Sequence, residues 1–82
     1  MFDDDSMEGD PAEPLRRSFR LSGHRTSLSL ERAFWSALKN IAARQGRTMT
    51  SVIEEVDAER TGGLTAAVRV YVLQWLRRNQ PL

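Results

Sequence analysis

The chain has 82 residues, a formal net charge of +1, no cysteine and one histidine. That length allows one domain. The lack of cysteine excludes a disulfide scaffold, a cysteine-based zinc site and a thiol nucleophile, and one histidine gives no basis for a His-rich metal centre or a Ser-His-Asp triad. A net charge near zero argues against a nucleic-acid partner only until it is divided by position. Residues 1–14 carry Asp3, Asp4, Asp5, Glu8, Asp10 and Glu13 with no basic residue, a charge of −6. Residues 15–53 carry Arg16, Arg17, Arg20, Arg25, Arg32, Lys39, Arg44 and Arg47 against Glu31 alone, a charge of +7. Residues 54–82 are balanced. An acidic segment joined to a basic one calls for a separate reading of each.

Residues 1–14 are polar, contain Pro11 and Pro14 and show no hydrophobic period, so a disordered acidic tail is expected. They lack the basic and apolar regions of a secretory signal. The tail has three readings: inert solvation, competition with a polyanion for the basic face, or binding of a separate protein partner. Residues 15–23 form either a basic arm or an extra short strand. Phe19 and Leu21 alternate there, and Ser22-Gly23 offers a turn.

The structured domain is expected over residues 24–82. Residues 24–30 alternate, with Thr26, Leu28 and Leu30 on one side and Arg25, Ser27 and Ser29 on the other, the pattern of a half-buried strand. His24 reads as an exposed turn residue. Residues 31–45 change to helical spacing, with Phe34, Leu38, Ile41 and Ala42 on one stripe and Trp35 beside it. Gly46 fits the left-handed position that ends a helix. Thr48 fits the N-cap of a second helix over 49–60, whose apolar face is Val52 or Ile53 with Val56. Thr61-Gly62-Gly63 breaks the chain.

A third helix over 64–78 is apolar almost all round, through Val68, Tyr71 and Trp75 among others, and should be buried on more than one side. Its apolar run, Leu64 to Leu76, is too short to span a bilayer, so no membrane role and a cytoplasmic location are expected. Glu54, Glu55, Asp57 and Glu59 read as a solvated helix face or as partners for Arg60 or Arg69 across a dimer, and not as a metal site. No cofactor, metal ligand set or catalytic pair is recognisable, so the chain is not expected to be an enzyme.

The fold class is therefore mainly α with one short strand. A single strand cannot satisfy its own ladder, and about 60 structured residues make a thin core. A homodimer answers both problems, each strand pairing antiparallel with its copy over a shared core. The competing solution is an intrachain hairpin of residues 17–21 with 25–30, and the two can coexist. The expected dimer core is Leu28, Leu30, Phe34, Leu38, Ile41, Ile53, Val56, Val68, Tyr71 and Trp75.

The order of strand, helix, Gly and Thr-capped helix resembles the ribbon-helix-helix class of dimeric bacterial repressors. The carrying residues are Thr26-Ser27-Leu28-Ser29-Leu30-Glu31 with Phe34, Leu38 and Ile41, then Gly46-Arg47-Thr48-Met49-Thr50-Ser51-Val52-Ile53. The string from His24 to Trp35 resembles a subfamily of short bacterial members, and the third helix also fits it. The resemblance implies an intertwined homodimer with an intersubunit two-stranded antiparallel ribbon plus an extra C-terminal helix. It further implies that Arg25, Ser27 and Ser29 touch base edges in the major groove of double-stranded DNA. Arg47, Thr48, Met49 and Thr50 would hold a phosphate at the second helix. Outside the resemblance, Arg16, Arg17 and Arg20 read either as an arm contacting the DNA backbone or as a solubilising flank. A transcriptional regulator is the leading expectation. The alternatives are an antitoxin or a dimerisation module without DNA binding.

Overall fold

The computed structural model describes residues 9–79. Five elements follow one another: β1 (Pro14–Leu21), β2 (His24–Glu31), α1 (Arg32–Arg44), α2 (Met49–Glu59) and α3 (Leu64–Arg78). β1 and β2 form a two-stranded antiparallel sheet with the register Leu15↔Leu30, Arg17↔Leu28 and Phe19↔Thr26 on its inner face.

Residues 15–23 thus form a strand and its turn, and two strands stand where one is expected. β2 is paired along one edge by β1 of the same chain, the intrachain hairpin that can coexist with an intersubunit ribbon. The reason is local. Ser22 and Gly23 both have positive φ, 52° and 83°. Two such residues make a hairpin turn whose twist matches that of the strands. Closing a two-residue loop carries little entropic cost.

The segment before β1 also departs from expectation. Residues 1–8 lie outside the described residues, but residues 10–13 fold into a turn, with Glu13 N–H donating to Asp10 O at 2.9 Å and Ala12 N–H to the Asp10 side chain. The segment then caps α1, where no side chain does so. Arg32 N–H donates to Glu13 O and Ala33 N–H to Pro11 O, at 2.8 and 2.9 Å. These are two of the orphan donors that begin every helix. The Glu13 carboxylate accepts from Arg32 at 2.9 Å.

The end of α1 follows the sequence closely. Gly46 has φ 67°. Arg47 N–H reaches Ala42 O and Gly46 N–H reaches Ala43 O, the paired bonds of a Schellman ending. Thr48 caps α2, its side chain accepting from Ser51 N–H at 3.0 Å.

The core lies between the inner face of the hairpin and the three helices. Leu28, Leu30, Leu38, Ile41, Ile53, Val56 and Val68 are buried there, joined by Leu21, Trp35, Ala42, Val52 and Val72. Each fully buried aliphatic side chain contributes roughly 1.5–3 kcal/mol. Phe34, Tyr71 and Trp75 pack at the rim, half-buried. Trp35 is 2% exposed; Phe19 stacks on it at 5.7 Å and the Arg17 guanidinium lies 5.3 Å from its ring centre.

α3 is covered on one side only. Val70, Leu73 and Leu76 remain 51%, 53% and 43% exposed, so the expectation of burial on several sides is not met within one chain. Arg69 and Arg60 likewise find partners inside the chain. Arg69 makes a two-pronged contact with Glu31 at 2.9 and 3.0 Å, and Arg60 pairs with Asp57 at 2.7 Å. No helix among the described residues is long and apolar enough to cross a membrane.

Candidate nucleic-acid interface

The pleat sends alternate side chains to opposite faces, so the hairpin register defines a second, outer face. Three cross-strand pairs, Arg16↔Ser29, Ser18↔Ser27 and Arg20↔Arg25, occupy its length, and Pro14↔Glu31 closes its open end. The six residues of the three pairs are all exposed. The Ser18 and Ser27 hydroxyl oxygens lie 3.4 Å apart. Among the described residues no carboxylate pairs with Arg16, Arg20 or Arg25. The one acidic residue at the open end of β2, Glu31, is held by Arg69, which keeps its carboxyl below the ordinary carboxylate range. The outer face is therefore a strip of three positive charges and three hydroxyls.

Arg25, Ser27 and Ser29 stand together on this strip. Of the three arginines expected to form an arm, Arg16 and Arg20 share their face. Arg17 does not: its odd position turns it to the inner face, against Trp35. The hairpin of residues 17–21 with 25–30 is one of the two pairings open from sequence, and it sets Arg16 and Arg20 across from Ser29 and Arg25. The signal was the alternation Arg16, Ser18, Arg20 against Leu15, Phe19, Leu21. Arg17 interrupts it by placing a charge in the inward series.

The start of α2 supplies a different surface. Thr48 uses its side chain as the cap, and Val52 N–H returns to Thr48 O at 3.2 Å. The amides of Met49 and Thr50 open the helix and have no intrahelical acceptor. They lie at the positive end of the helix dipole. Arg47 is engaged elsewhere. Its guanidinium donates to the Ser51 side chain and carbonyl at 3.1 and 3.0 Å, to Gln45 at 3.0 Å and to Glu55 at 2.6 Å. It braces the α1–α2 junction, and its donors point back into the fold. The hairpin tip is fixed beside α2: Ser22 N–H donates to Glu54 Oε2 at 3.1 Å. Glu54 stands one turn after Thr50 on the same side of the helix.

Among the described residues the aromatic side chains pack with the core and not on the outer strip. Arg44 lies over Trp75 at 5.7 Å and Arg69 over Phe34 at 5.9 Å, packing arrangements at the rim of the core. Among the described residues no three acidic or imidazole groups converge as a metal site would require.

The order of elements and the match of a family model, described as the ribbon-helix-helix domain, over residues 14–76 place the chain in the ribbon-helix-helix family. Domains of this family are typical of DNA-binding regulators and antitoxins. Among solved structures, the chain is similar to an uncharacterized protein from Bordetella pertussis Tohama I. The two share 33% identity at a TM-score of 0.71, over 82% of this chain and 58% of that one. The chain thus spans little more than half the length of that relative. A search of curated proteins finds no match.

Proposed function

We propose that the protein binds double-stranded DNA as a homodimer and regulates transcription in the cytoplasm, without enzymatic activity. The observation that carries this reading is the outer strip of the hairpin. Arg25, Ser27 and Ser29 stand exposed on a two-stranded ribbon that bears no free carboxylate. A ribbon of this kind fits the major groove. There Arg25 takes the two acceptors of a guanine, and the serines donate or accept at neighbouring base edges. The amides of Met49 and Thr50, with the α2 dipole, suit a backbone phosphate. Phosphate contacts fix register, and base contacts specify.

The dimer rests on two supports. The family typically forms dimers that bind DNA. The uncovered Val70, Leu73 and Leu76 on α3 are apolar surface that a second copy would remove from water. That same stripe favours a second reading, a module that binds another protein and not DNA.

The test is binding of duplex fragments across a salt series, with mass measured in solution. The reading expects a dimer whose affinity falls with salt, the logarithmic slope being about −0.9 for each phosphate neutralised. A dimer that fails to bind mixed genomic fragments at low salt supports the protein-interaction reading instead.

A further inference from the structure

We propose that residues 1–8, with Asp3, Asp4, Asp5 and Glu8, fold back onto the outer strip of the hairpin and compete with DNA for Arg16, Arg20 and Arg25. The inference rests on the DNA-binding reading and adds a regulation carried by the same chain. An anionic segment occupies the DNA face until a polyanion displaces it. The contact requires only the exposed face of the hairpin, whichever strand lies along the free edge of β2.

Charge is the first ground. Six acidic residues precede Arg16. Two are committed within the fold: Asp10 accepts from Ala12 N–H at 2.9 Å, and Glu13 pairs with Arg32 at 2.9 Å. The other four, all within residues 1–8, stand against a strip of three arginines. Among the described residues no carboxylate pairs with Arg16, Arg20 or Arg25. Arg20 and Arg25 face each other directly across the ladder. Like charges so placed are destabilising, and a carboxylate between them removes the repulsion.

The point of attachment is the second ground. Residues 10–13 are clamped at the start of α1 by the bonds from Arg32 N–H to Glu13 O and from Ala33 N–H to Pro11 O. Gly9 packs against the Arg32 side chain. Glu31, the residue before Arg32, pairs with Pro14 at the open end of the hairpin, two residues from the Arg16↔Ser29 pair. The segment is thus rooted beside one end of the strip. Another exposed pair of cations, Arg77 and Arg78, ends α3. Arg44 lies over Trp75 there, so that pair borders the far end of α1. From Arg32 to Arg44 the helix rises about 18 Å, at roughly 1.5 Å per residue.

Reach is the third ground. Asp5, Asp4 and Asp3 stand four, five and six residues before Gly9. An extended chain spans at most about 3.3–3.6 Å per residue, so they reach to about 13–22 Å from it. From Arg16 to Arg20 the strand rises about 14 Å, at roughly 3.4 Å per residue. The two spans are of the same order, and the three aspartates can lie along the strip. A tethered segment meets its site at an effective concentration on the order of millimolar. Weak contacts therefore suffice to occupy the strip when no DNA is present.

The experiment compares the parent with a variant carrying Asp3→Asn, Asp4→Asn, Asp5→Asn and Glu8→Gln, which leaves the α1 cap intact. Backbone and arginine side-chain N–H resonances of both free proteins are recorded at low salt and at about 1 M salt, where the screening length falls to ~3 Å. Binding of both to the same mixed-sequence duplex is measured at low salt. The inference expects the resonances of Arg16, Ser18, Arg20 and Arg25 to differ between parent and variant at low salt and to coincide at high salt. It expects the variant to bind the duplex roughly three- to ten-fold more tightly. Tighter binding with unchanged strip resonances would mean general repulsion of DNA by the acidic segment, and the inference falls. Shifts on Leu73, Leu76, Arg77 and Arg78 instead would seat the segment on α3 and overturn it as well. If both proteins bind the duplex with equal affinity, the inference falls and the DNA-binding reading stands. If neither binds, both fall.

Discussion

The indole N–H of Trp35 donates to the carbonyl oxygen of Leu15 at 2.9 Å. The bond ties α1 to β1 across the core, and the same ring carries Phe19 on its face. The position of the hairpin on the helices therefore depends on Trp35. Trp35→Phe keeps an aromatic ring and removes the donor. The Leu15 carbonyl loses one of its hydrogen bonds, and a loss of about 0.5–1.5 kcal/mol is expected. Urea denaturation checks it; a midpoint unchanged from the parent would show that the bond contributes nothing.

Gly46 closes α1 with φ 67°, and a Cβ added there would meet nothing within 4 Å. Gly46→Ala is therefore opposed by backbone conformation alone. A side chain in the left-handed region costs roughly 1–2 kcal/mol. Chemical denaturation should show that loss, and Gly46→Asn should recover part of it.

Ser22 sits at φ 52° in the hairpin turn, a position that Asn tolerates better. Ser22→Asn retains the backbone N–H that reaches Glu54 and should stabilise the protein by about 0.5 kcal/mol. A lowered melting temperature would contradict the turn assignment.

Glu31 and Arg69 give the fold an acid sensitivity. The Arg69 hydrogen bonds hold the Glu31 carboxyl below its ordinary value near 4.5. A carboxyl depressed in the folded state contributes stability above its unfolded value. That contribution is lost as pH falls through the depressed folded value. Arg69 is raised by the same contact, so its share fades only at strongly alkaline pH. Melting temperature should therefore drop on acidification below about pH 4.5, and the Glu31→Gln drop should be smaller over the same window. Equal slopes for the two proteins would show that the pair is energetically silent.

The helices were legible because their signals are local. Gly46 and Thr48 act through the backbone of their own turns, and Leu38, Ile41, Val56 and Val68 declare their faces by spacing. The partner of β2 was less legible, because Arg17 occupies an inward position of β1. Its guanidinium lies against Trp35, and no pattern of apolar residues announces such a contact. The capping of α1 by Pro11 and Glu13 was hidden for a related reason. The contacts use backbone carbonyls, which any sequence provides, inside a segment whose composition reads as disordered. Arg47 shows the limit at the site itself. Its place before α2 suits a phosphate contact, but Ser51, Gln45 and Glu55 take its donors, and only their placement in space reveals it.

The central claim is that the outer face of the hairpin recognises DNA through Arg25. Selection of genomic fragments bound by the parent and by Arg25→Ala, at one low salt concentration, tests it most directly. The parent should enrich a common sequence element. Arg25→Ala should bind that element more weakly by about 1–3 kcal/mol and lose preference at one base position. Enrichment of the same element by Arg25→Ala with undiminished affinity would contradict the account.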